Sequence, residues 1–442
     1  MLKNLNRTTA LTPQIPPVKV LQFGKGNFLR AFADWMVDIA NEKGDFNGSI
    51  QIVQTNSREN DVRFKEQEGL YHVVIRGIRQ GQIVNDIRLI TSVVGVINPF
   101  EEYEAFLRAG ENPDLQFIIS NTTEAGIEFN ADDKDPAVPS RSFPGKLTAL
   151  LHHRYKFFEG KVKAPLTILP CELTEGNGES LLKIVLQYAD YWKLEKAFKS
   201  WIADHVLFCN TLVDRIVPGF PKDTIDEITT ATGFADALTV SAEPYHLWLI
   251  EPIGKAERLE HFNLRTALPL EQAGLNVKVV EALAPYRTRK VRILNGAHTV
   301  MVPVAYLRGL RTVRDAIENN SVGDFVRTAI AQEIIPTLDL PANELHEFAA
   351  DVIERFRNPS IRHELSSIAL NSISKFQVRV LPSIIEYHKR KKQLPEKLLY
   401  ALAALIVFYR GEWRGEATPL NDTPEVRSFF REAWGDKNVS NV

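Results

Sequence analysis

The chain has 442 residues, two to three times the size of a typical domain, so two domains are expected. Its hydrophobic and charged fractions, 44% and 24%, are those of globular proteins, which argues against disordered, fibrous and membrane classes. A formal net charge of -2, spread over 53 basic and 55 acidic side chains, offers no field for binding a polyanion, so no nucleic-acid partner is expected.

The first half of the chain alternates short apolar, β-branched runs with helical patterns. Because strand–helix–strand repetition is typical of parallel sheets, the pattern predicts an α/β fold with helices on both faces of the sheet. A first helix is predicted after the first strand, since apolar residues recur at three- and four-residue spacing from Phe28 to Ile39. The predicted strands are Val18–Phe23, Ile50–Gln54, Ile87–Val94, Phe117–Ser120 and Leu166–Leu169.

A glycine-containing loop joins the first predicted strand to the first helix. Gly24 would permit a tight turn, and Gly26 would let a dinucleotide pyrophosphate approach the free N–H groups at the start of the helix. Leu29 stands where the usual fingerprint has its third glycine, so a strand–helix turn without a ligand remains an alternative. The residues expected to bind the cofactor here are Phe23, Gly24, Gly26, Asn27, Phe28 and Arg30.

Two further strand ends carry polar residues. After the second strand, the segment from Gln54 to Arg58 lacks the acidic residue that usually holds the ribose hydroxyls of NAD. Arg58 could meet the 2′-phosphate of NADP or be an ordinary solvated side chain, so both cofactors stay open. The stretch from Ser120 to Gly126 lies at a strand end where ligands bind in such sheets, although it also fits a turn that caps the next helix. Its candidate cofactor-binding residues are Asn121, Thr123 and Glu124.

The chain shows no sign of an oxidised, exported or membrane-bound protein. Cys171 and Cys209 are too few for a disulfide framework, and neither belongs to a spacing typical of zinc sites. The amino-terminal segment holds no continuous apolar region of signal-peptide length. The longest strongly apolar run, Ala401–Phe408, is far shorter than the roughly 20 residues of a membrane-spanning helix. We therefore expect a cytoplasmic protein with no membrane partner and no metal.

The second half of the chain has a different pattern. From about Val280, long helical segments are punctuated by Pro341, Pro359 and Pro395, each placed where a helix could begin. The run Ala401–Phe408 is apolar on all sides, which predicts a helix buried in a bundle. We therefore expect domains at 1–280 and 281–442, the second mainly helical.

Lys290, Asn295 and His298 form the most informative group of polar residues in the chain. On an α-helix, which turns about 100° per residue, all three fit within a wedge of about 140°. Reduction of a carbonyl by hydride needs a proton donor and neutral hydrogen-bond donors for the developing negative oxygen, and these residues supply both. A solvated basic helix face is the alternative, because Arg287, Arg289 and Arg292 share the segment.

The spacing of Lys290, Asn295 and His298 resembles the catalytic motif of the mannitol dehydrogenase family of polyol-specific long-chain dehydrogenases. The resemblance covers nearly the whole chain and is strongest to members that act on hexuronates. It implies a Rossmann-type amino-terminal domain, a helical carboxy-terminal domain, a cleft between them, no metal, and NAD as the usual cofactor. The segments that carry it are Leu21–Phe32, Ser120–Gly126, Pro170–Leu173, Asn177–Gly178, Val213–Ile216, Glu243–Pro244, Leu294–Thr299 and Arg355–Pro359.

The resemblance also implies roles for individual residues. Lys290 is similar to the family's general acid/base, Asn295 to its oxyanion donor, and His298 to a substrate-orienting group. Asp214 matches an acidic position near the substrate, and pairing with the adjacent Arg215 or capping of a turn is the alternative.

Two departures from the mannitol dehydrogenase pattern bear on the substrate. Leu173 stands where those enzymes carry an asparagine, so Glu172 or Asn177 is the candidate second oxyanion donor. Arg287 stands in place of a glutamate, and this extra cation suits a substrate that is itself an anion. Two more cations could serve the same purpose, although either could be an ordinary surface residue. They are Lys375 and Arg379.

Four functions remain open on the sequence. The first two are reduction of either of two epimeric hexuronates, which differ by hydrogen bonds that a sequence does not reveal. The third is oxidation of an uncharged, mannitol-type polyol, which Leu173 and Arg287 disfavour. The fourth is a nucleotide-sensing binding protein on a dehydrogenase scaffold, since fold alone does not prove catalysis. The oligomeric state is not predicted.

Overall fold

The computed structural model describes residues 2–55, 61–122, 126–161, 165–254 and 262–435, and the chain divides into two compact units. Unit 1 comprises Met1–Arg76 and Asn85–Leu283, and unit 2 comprises Gly77–Val84 and Ala284–Val442. Unit 1 is an α/β unit with a mainly parallel sheet, and unit 2 is mainly helical, which confirms the predicted fold class. The grouping of Gly77–Val84 with unit 2 is not visible in the sequence pattern.

Unit 1 contains four of the five strands that the sequence predicts, together with others that it does not predict. Its strands are β1 (Lys3–Asn4), β2 (Val18–Phe23), β3 (Ser49–Val53), β4 (Tyr71–Arg79), β5 (Gln82–Ile90), β6 (Val93–Ile97), β7 (Phe117–Ser120), β8 (Leu166–Pro170), β9 (Val206–Asp214), β10 (Phe234–Ala235), β11 (Val240–Ala242), β12 (Leu247–Pro252) and β13 (Val277–Val279). The tips of β4 and β5 belong to unit 2.

Helices and helical turns connect these strands. The α-helices are α1 (Asn27–Leu29), α2 (Trp35–Lys43), α3 (Val62–Glu66), α4 (Tyr103–Arg108), α5 (Phe143–Phe157), α6 (Asn177–Tyr191), α7 (Lys196–His205), α8 (Ile225–Thr232) and α9 (Leu264–Ala267). A π-helical turn, Arg30–Asp34, joins α1 to α2, and short 3₁₀ turns occur at Ala109–Glu111 and Lys222–Thr224.

The main sheet has eight strands in the order β13-β12-β9-β8-β7-β2-β3-β6. Neighbouring strands are parallel except β9 and β12, which are antiparallel. Within β2, Leu21 and Phe23 join a buried cluster with residues of α4 to α7. The alternate residue Gln22 interacts with Asp34 of the first helical segment. Because successive side chains of a strand point to opposite faces, helices cover both faces of this sheet, as predicted.

The predicted strand Ile87–Val94 is wrong as a single element. The chain instead forms β5, which joins β4 and β11 in a separate three-stranded sheet, and then β6, which joins the main sheet. The break has a local cause, because the buried carboxylate of Asp38 accepts hydrogen bonds from the N–H groups of Thr91 (2.7 Å) and Ser92 (3.1 Å). These bonds hold the chain out of the strand between the two sheets.

Unit 2 is built from helices around α11, with the β4–β5 tip attached. Its elements are α10 (Ala284–Arg289), a π-helical turn (Lys290–Asn295), α11 (Gly296–Leu307), α12 (Val313–Glu318), α13 (Asn320–Thr328), a second π-helical turn (Ala329–Ile334), a 3₁₀ turn (Ile335–Thr337), α14 (Ala342–Phe356), α15 (Leu365–Ile368), α16 (Ser372–Arg379), α17 (Leu381–Lys391), α18 (Glu396–Phe408), β14 (Glu412–Trp413), β15 (Glu416–Ala417) and α19 (Pro424–Ala433). The Glu354 carboxylate of α14 accepts hydrogen bonds from the N–H groups of Gln80 (3.0 Å) and Gly81 (2.6 Å), which ties the tip to this unit.

The sequence predictions for unit 2 are partly confirmed. Pro341 and Pro395 directly precede α14 and α18, but Pro359 lies in the turn between α14 and α15. Helix α18 is buried on one side only, since Ala403 is exposed and Leu402 is half-buried. In the part of the chain that the structure describes, no helix has the length and apolar character needed to cross a bilayer.

Candidate active site

The glycine loop after β2 lies where the strand order of the main sheet reverses. Strand β2 is flanked by β3 and β7, and the sheet grows outward from each of those two strands. In open α/β sheets, ligands bind at such a switch point, beyond the carboxyl ends of the strands. Gly24 and Gly26 therefore occupy the position at which a dinucleotide is expected.

The two glycines of this loop have different surroundings. Gly24 has a φ of +116°, and a Cβ atom at this position would lie 2.8 Å from the carbonyl oxygen of Asn121, so only glycine fits. Gly26 has an ordinary extended backbone, and a Cβ atom there would meet nothing within 4 Å. Gly24 thus shapes the loop, whereas Gly26 leaves the backbone open to an approaching group.

Five other predicted cofactor-binding residues divide into three groups. Asn121 lies at the loop, where its N–H donates to the Phe23 carbonyl (3.2 Å) and its side chain donates to the Cys171 carbonyl (2.6 Å). Thr123 and Glu124 lie outside the described residues. Asn27 and Phe28 begin the first helical segment; Asn27 is exposed and the Phe28 ring is half-buried.

The side chains of Phe23 and Arg30 point into the interior of unit 1. The Phe23 ring packs against Phe143 at 5.0 Å between centroids. The Arg30 guanidinium is buried, donates to Asn27 Oδ1 (2.6 Å) and to the Leu238 carbonyl, and lies over an aromatic ring. Any contact that either residue makes with a dinucleotide would therefore come from its backbone.

A buried carboxyl group is connected to the glycine loop through Gln22. Asp34 is fully buried, and its Oδ2 accepts a hydrogen bond from the hydroxyl of Tyr71 (2.6 Å). Desolvation raises the pKa of Asp34 to about 7, although Tyr71, Arg30 and Gln22 partly oppose the shift. Gln22 donates to the carbonyl of Gly24 (3.1 Å), so the carboxyl group is connected to the loop.

The raised pKa predicts that Asp34 makes folding stability depend on pH. Its folded pKa of about 7 exceeds the ordinary 3.8, so the stabilisation from a neutral Asp34 is lost as the pH rises from about 4 to about 7. Asp34→Asn removes this titration. The difference in free energy of unfolding between this variant and the parent should therefore shift in favour of the variant, by on the order of 3 kcal/mol, as the pH is raised from 5 to 8. Urea unfolding at both pH values measures the change. The exposed Asp86→Asn is the control, and an equal response of the two variants would contradict the prediction.

Glu172 and Asn177 lie at the carboxyl edge of β8, and both are already engaged. The Glu172 carboxylate accepts hydrogen bonds from Ser120 Oγ (3.0 Å) and from the N–H of Thr122 (3.0 Å), and burial raises its pKa. The Asn177 amide donates to the carbonyls of Pro170 (3.0 Å) and Glu172 (2.9 Å). This geometry favours a structural role for Asn177. Asp214 is buried at the end of β9.

The segment with the family motif in unit 2 is not a regular α-helix. Lys290–Asn295 forms a π-helical turn between α10 and α11. An α-helix would hold Lys290 and Asn295 about 140° apart, whereas the i to i+5 hydrogen bonds of a π-helix bring such residues close to one face. The turn therefore improves the convergence that the sequence predicts. Lys290, Asn295 and His298 are all half-buried.

His298 is set in a basic and aromatic environment. Its ring lies 4.3 Å from that of Phe356 and 5.3 Å from that of His363, between centroids. Burial holds the pKa of His298 well below its usual value, and the nearby His363, Arg355, Arg379 and Lys375 lower it further. His298 is therefore neutral at neutral pH. Its Nε2 atom is buried and makes no hydrogen bond within the described part of the chain.

Two of the three cations predicted for an anionic substrate are close enough to His298 to affect its pKa. Lys375 and Arg379 are four residues apart on α16, which places them on one helix face. Arg287 lies in the last turn of α10, half-buried, and is not among the groups with the largest effect on the pKa of His298.

Sequence reasoning missed His363 and Phe356 as neighbours of His298. Phe356 falls within the segment Arg355–Pro359 that carries the family resemblance, so that resemblance could have identified it. His363 lies beyond this segment and shows no local pattern that marks it. Its proximity to His298 depends on the packing of the chain after α14 against α11.

Two family models together match most of the chain. The model described as the mannitol dehydrogenase Rossmann domain matches residues 18–261, and that of the mannitol dehydrogenase C-terminal domain matches residues 282–442. The altronate oxidoreductase of Bacillus subtilis (strain 168) is 49% identical over 95% of this chain and 84% of its own length. That of Klebsiella pneumoniae (strain 342) is 45% identical over 98% of this chain and 88% of its own.

Solved structures share the fold at lower identity. D-sorbitol dehydrogenase in substrate-free form matches 97% of this chain and 90% of its own, with a TM-score of 0.79 and 24% identity. Mannitol 2-dehydrogenase of Pseudomonas fluorescens, in a ternary complex with NAD and D-mannitol, matches 98% and 89%, with a TM-score of 0.65 and 21% identity.

Proposed function

The chain belongs to the mannitol dehydrogenase family, and on that basis we propose that it is an NAD-dependent oxidoreductase that reduces the hexuronate tagaturonate to altronate. The observation that carries the proposal is an identity of 44–49% to altronate oxidoreductases over at least 95% of the chain. Bound NADH supplies the hydride in this reaction. The substrate is a small sugar acid, and the reaction is reversible.

The glycine loop of unit 1 fits a dinucleotide. Its place at the sheet's switch point and the open backbone at Gly26 suit a pyrophosphate bound by N–H groups at the start of the helix. NAD is the cofactor that the family resemblance implies. Thr55, two residues after the end of β3, is not acidic, so the test includes a direct comparison of NADH with NADPH.

Residues on the π-helical turn and α11 supply the proton and the hydrogen bonds in the proposed mechanism. Lys290 gives a proton to the ketone oxygen as the alcohol forms and accepts it in the reverse direction. Asn295 donates a hydrogen bond to the same oxygen as negative charge develops there. His298, neutral because of its lowered pKa, orients the substrate by hydrogen bonding without adding a charge.

Residues of unit 1 have supporting roles in the proposal. Asp214 lies near the substrate hydroxyls, as the family resemblance implies. Because the amide of Asn177 is held by backbone carbonyls, Asn295 is the favoured oxyanion donor, and Glu172 fixes the loop from Ser120 to Thr122. Cys171 and Cys209 are both buried thiols, which supports the proposal of a reducing, cytoplasmic location.

The proposal is tested by steady-state oxidation of NADH with tagaturonate, fructuronate and fructose offered in parallel. We expect the highest kcat/KM with tagaturonate, and a lower one when NADPH replaces NADH. A preference for fructuronate would make the enzyme a fructuronate reductase, which forms mannonate, and a preference for fructose would indicate a polyol dehydrogenase. Turnover of none of the three sugars, together with tight NADH binding, would instead support a nucleotide-sensing protein.

A further inference from the structure

Several cationic side chains of unit 2 lie near His298. Arg355, Lys375 and Arg379 all lie close enough to lower the pKa of this histidine electrostatically, as does His363. None of the largest electrostatic influences on the pKa of His298 comes from an acidic group. The ring of His363 meets that of His298 at an angle of 68°, so the two side chains are in direct contact.

Among the described residues, no carboxylate forms an ion pair with Lys375 or Arg379. Lys375 Nζ donates to the carbonyl of Ile368 (2.8 Å), and neither cation makes a salt bridge within the described part of the chain. Asp422 acts on Lys375 only at longer range, and its carboxylate is hydrogen-bonded to the hydroxyl of Tyr409. Both side chains are half-buried, and this burial lowers the pKa of each cation.

Partly buried cations without a counter-charge raise the free energy of a folded protein unless an anion joins them. The helices that carry these groups are in close contact, since a Cβ atom built at Gly296 would lie 3.4 Å from the carbonyl oxygen of Arg379. His298 is two residues from that contact, and its buried Nε2 atom lacks a hydrogen-bond partner among the described residues. Fixed donors of this kind suit a small planar anion better than a neutral hydroxyl.

We propose that His363, Lys375 and Arg379 form the subsite that binds the carboxylate of the sugar-acid substrate, beside His298. The inference rests on the proposed function and extends it, because it assigns the preference for an acid over a polyol to three side chains of unit 2. Arg379 and Lys375 neutralise the carboxylate, and His363 donates a hydrogen bond to one of its oxygens. A substrate with a CH₂OH group at this end would leave both cations unpaired, so it would bind weakly.

The first test compares kcat/KM for tagaturonate with that for fructose in the parent and in Arg379→Met, Lys375→Met and His363→Leu. Because a hydrogen bond to a charged group is strong, each cation variant should lower kcat/KM for tagaturonate by about 10- to 150-fold, chiefly through KM. The value for fructose should stay within about threefold, since a hydroxyl gains little from a charged partner. A purely structural role would lower both values together.

Arg362→Met is the matched control. It removes one positive charge next to His363, but the Arg362 side chain is 81% exposed and pairs with Glu364 at 2.6 Å. We expect this variant to keep the parent's preference for tagaturonate over fructose. If Arg362→Met also loses this preference, the preference depends on the overall positive charge of the region, and the proposed subsite is wrong.

The second test needs no turnover and uses calorimetric binding of altronate and of altritol, its uncharged counterpart. The parent should bind altronate at least tenfold more tightly, and Arg379→Met and the milder Lys375→Gln should abolish that difference. If the parent reduces none of the sugars but still prefers altronate through these residues, the proposed function fails and the subsite stands. If it reduces tagaturonate and the variants keep the preference for altronate, the subsite fails and the function stands.

Discussion

Lys290→Met is expected to lower kcat/KM for tagaturonate by about 10²–10⁴-fold, the usual contribution of a positioned general acid. Methionine keeps much of the length of the lysine side chain but offers no proton to the ketone oxygen. The half-buried position of Lys290 on the π-helical turn should therefore stay filled, and the fold should be preserved. Steady-state kinetics with tagaturonate and fluorescence titration with NADH measure the two effects separately, and NADH should bind as in the parent.

The control for this substitution is Lys278→Met, which removes an exposed lysine of β13. It should leave kcat/KM unchanged. Turnover of Lys290→Met at the parent's rate, with NADH bound normally, would show that Lys290 is not the acid/base.

Gly26→Ala is expected to weaken NADH binding by about 10- to 150-fold without lowering stability, because it displaces an anion from charge-assisted hydrogen bonds. The backbone at Gly26 is one that alanine adopts readily, and its Cβ atom would meet no protein atom within 4 Å. The added methyl group would occupy the side from which the pyrophosphate approaches. NADH titration and thermal unfolding together test the prediction.

Gly24→Ala provides the contrast within the same loop. Its Cβ atom would lie 2.8 Å from the Asn121 carbonyl oxygen at a φ of +116°, so this variant should lose stability as well as NADH binding. If Gly26→Ala binds NADH as tightly as the parent, the pyrophosphate does not lie against this backbone, and the proposed cofactor site is wrong.

Much of the fold of unit 1 could be predicted because its strands are short, apolar and separated by helical patterns. The main failure, at Ile87–Val94, came from a feature that periodicity does not record. The side chain of Asp38, far away in the sequence, captures the backbone at Thr91 and Ser92 and divides one apolar run between two sheets. The attachment of the β4–β5 tip to unit 2 depends in the same way on Glu354, a distant residue.

The candidate site could be predicted from the sequence where its residues are close together along the chain. Lys290, Asn295 and His298 are close in the sequence, so helical periodicity already groups them, although the π-helical turn that tightens the group leaves no pattern in the residues. Arg30 shows the limit of motif reasoning, since its cation is buried in the interior, where it donates to the Leu238 carbonyl. His363 was missed because only tertiary packing brings it to His298.

The most direct test of the central claim is to follow deuterium from NADH, labelled at its transferable position, during the reduction of tagaturonate. The proposed hydride transfer predicts that mass spectrometry finds altronate with one deuterium on the former ketone carbon for each NADH consumed. NADH oxidation that yields unlabelled altronate, or no altronate, would contradict it.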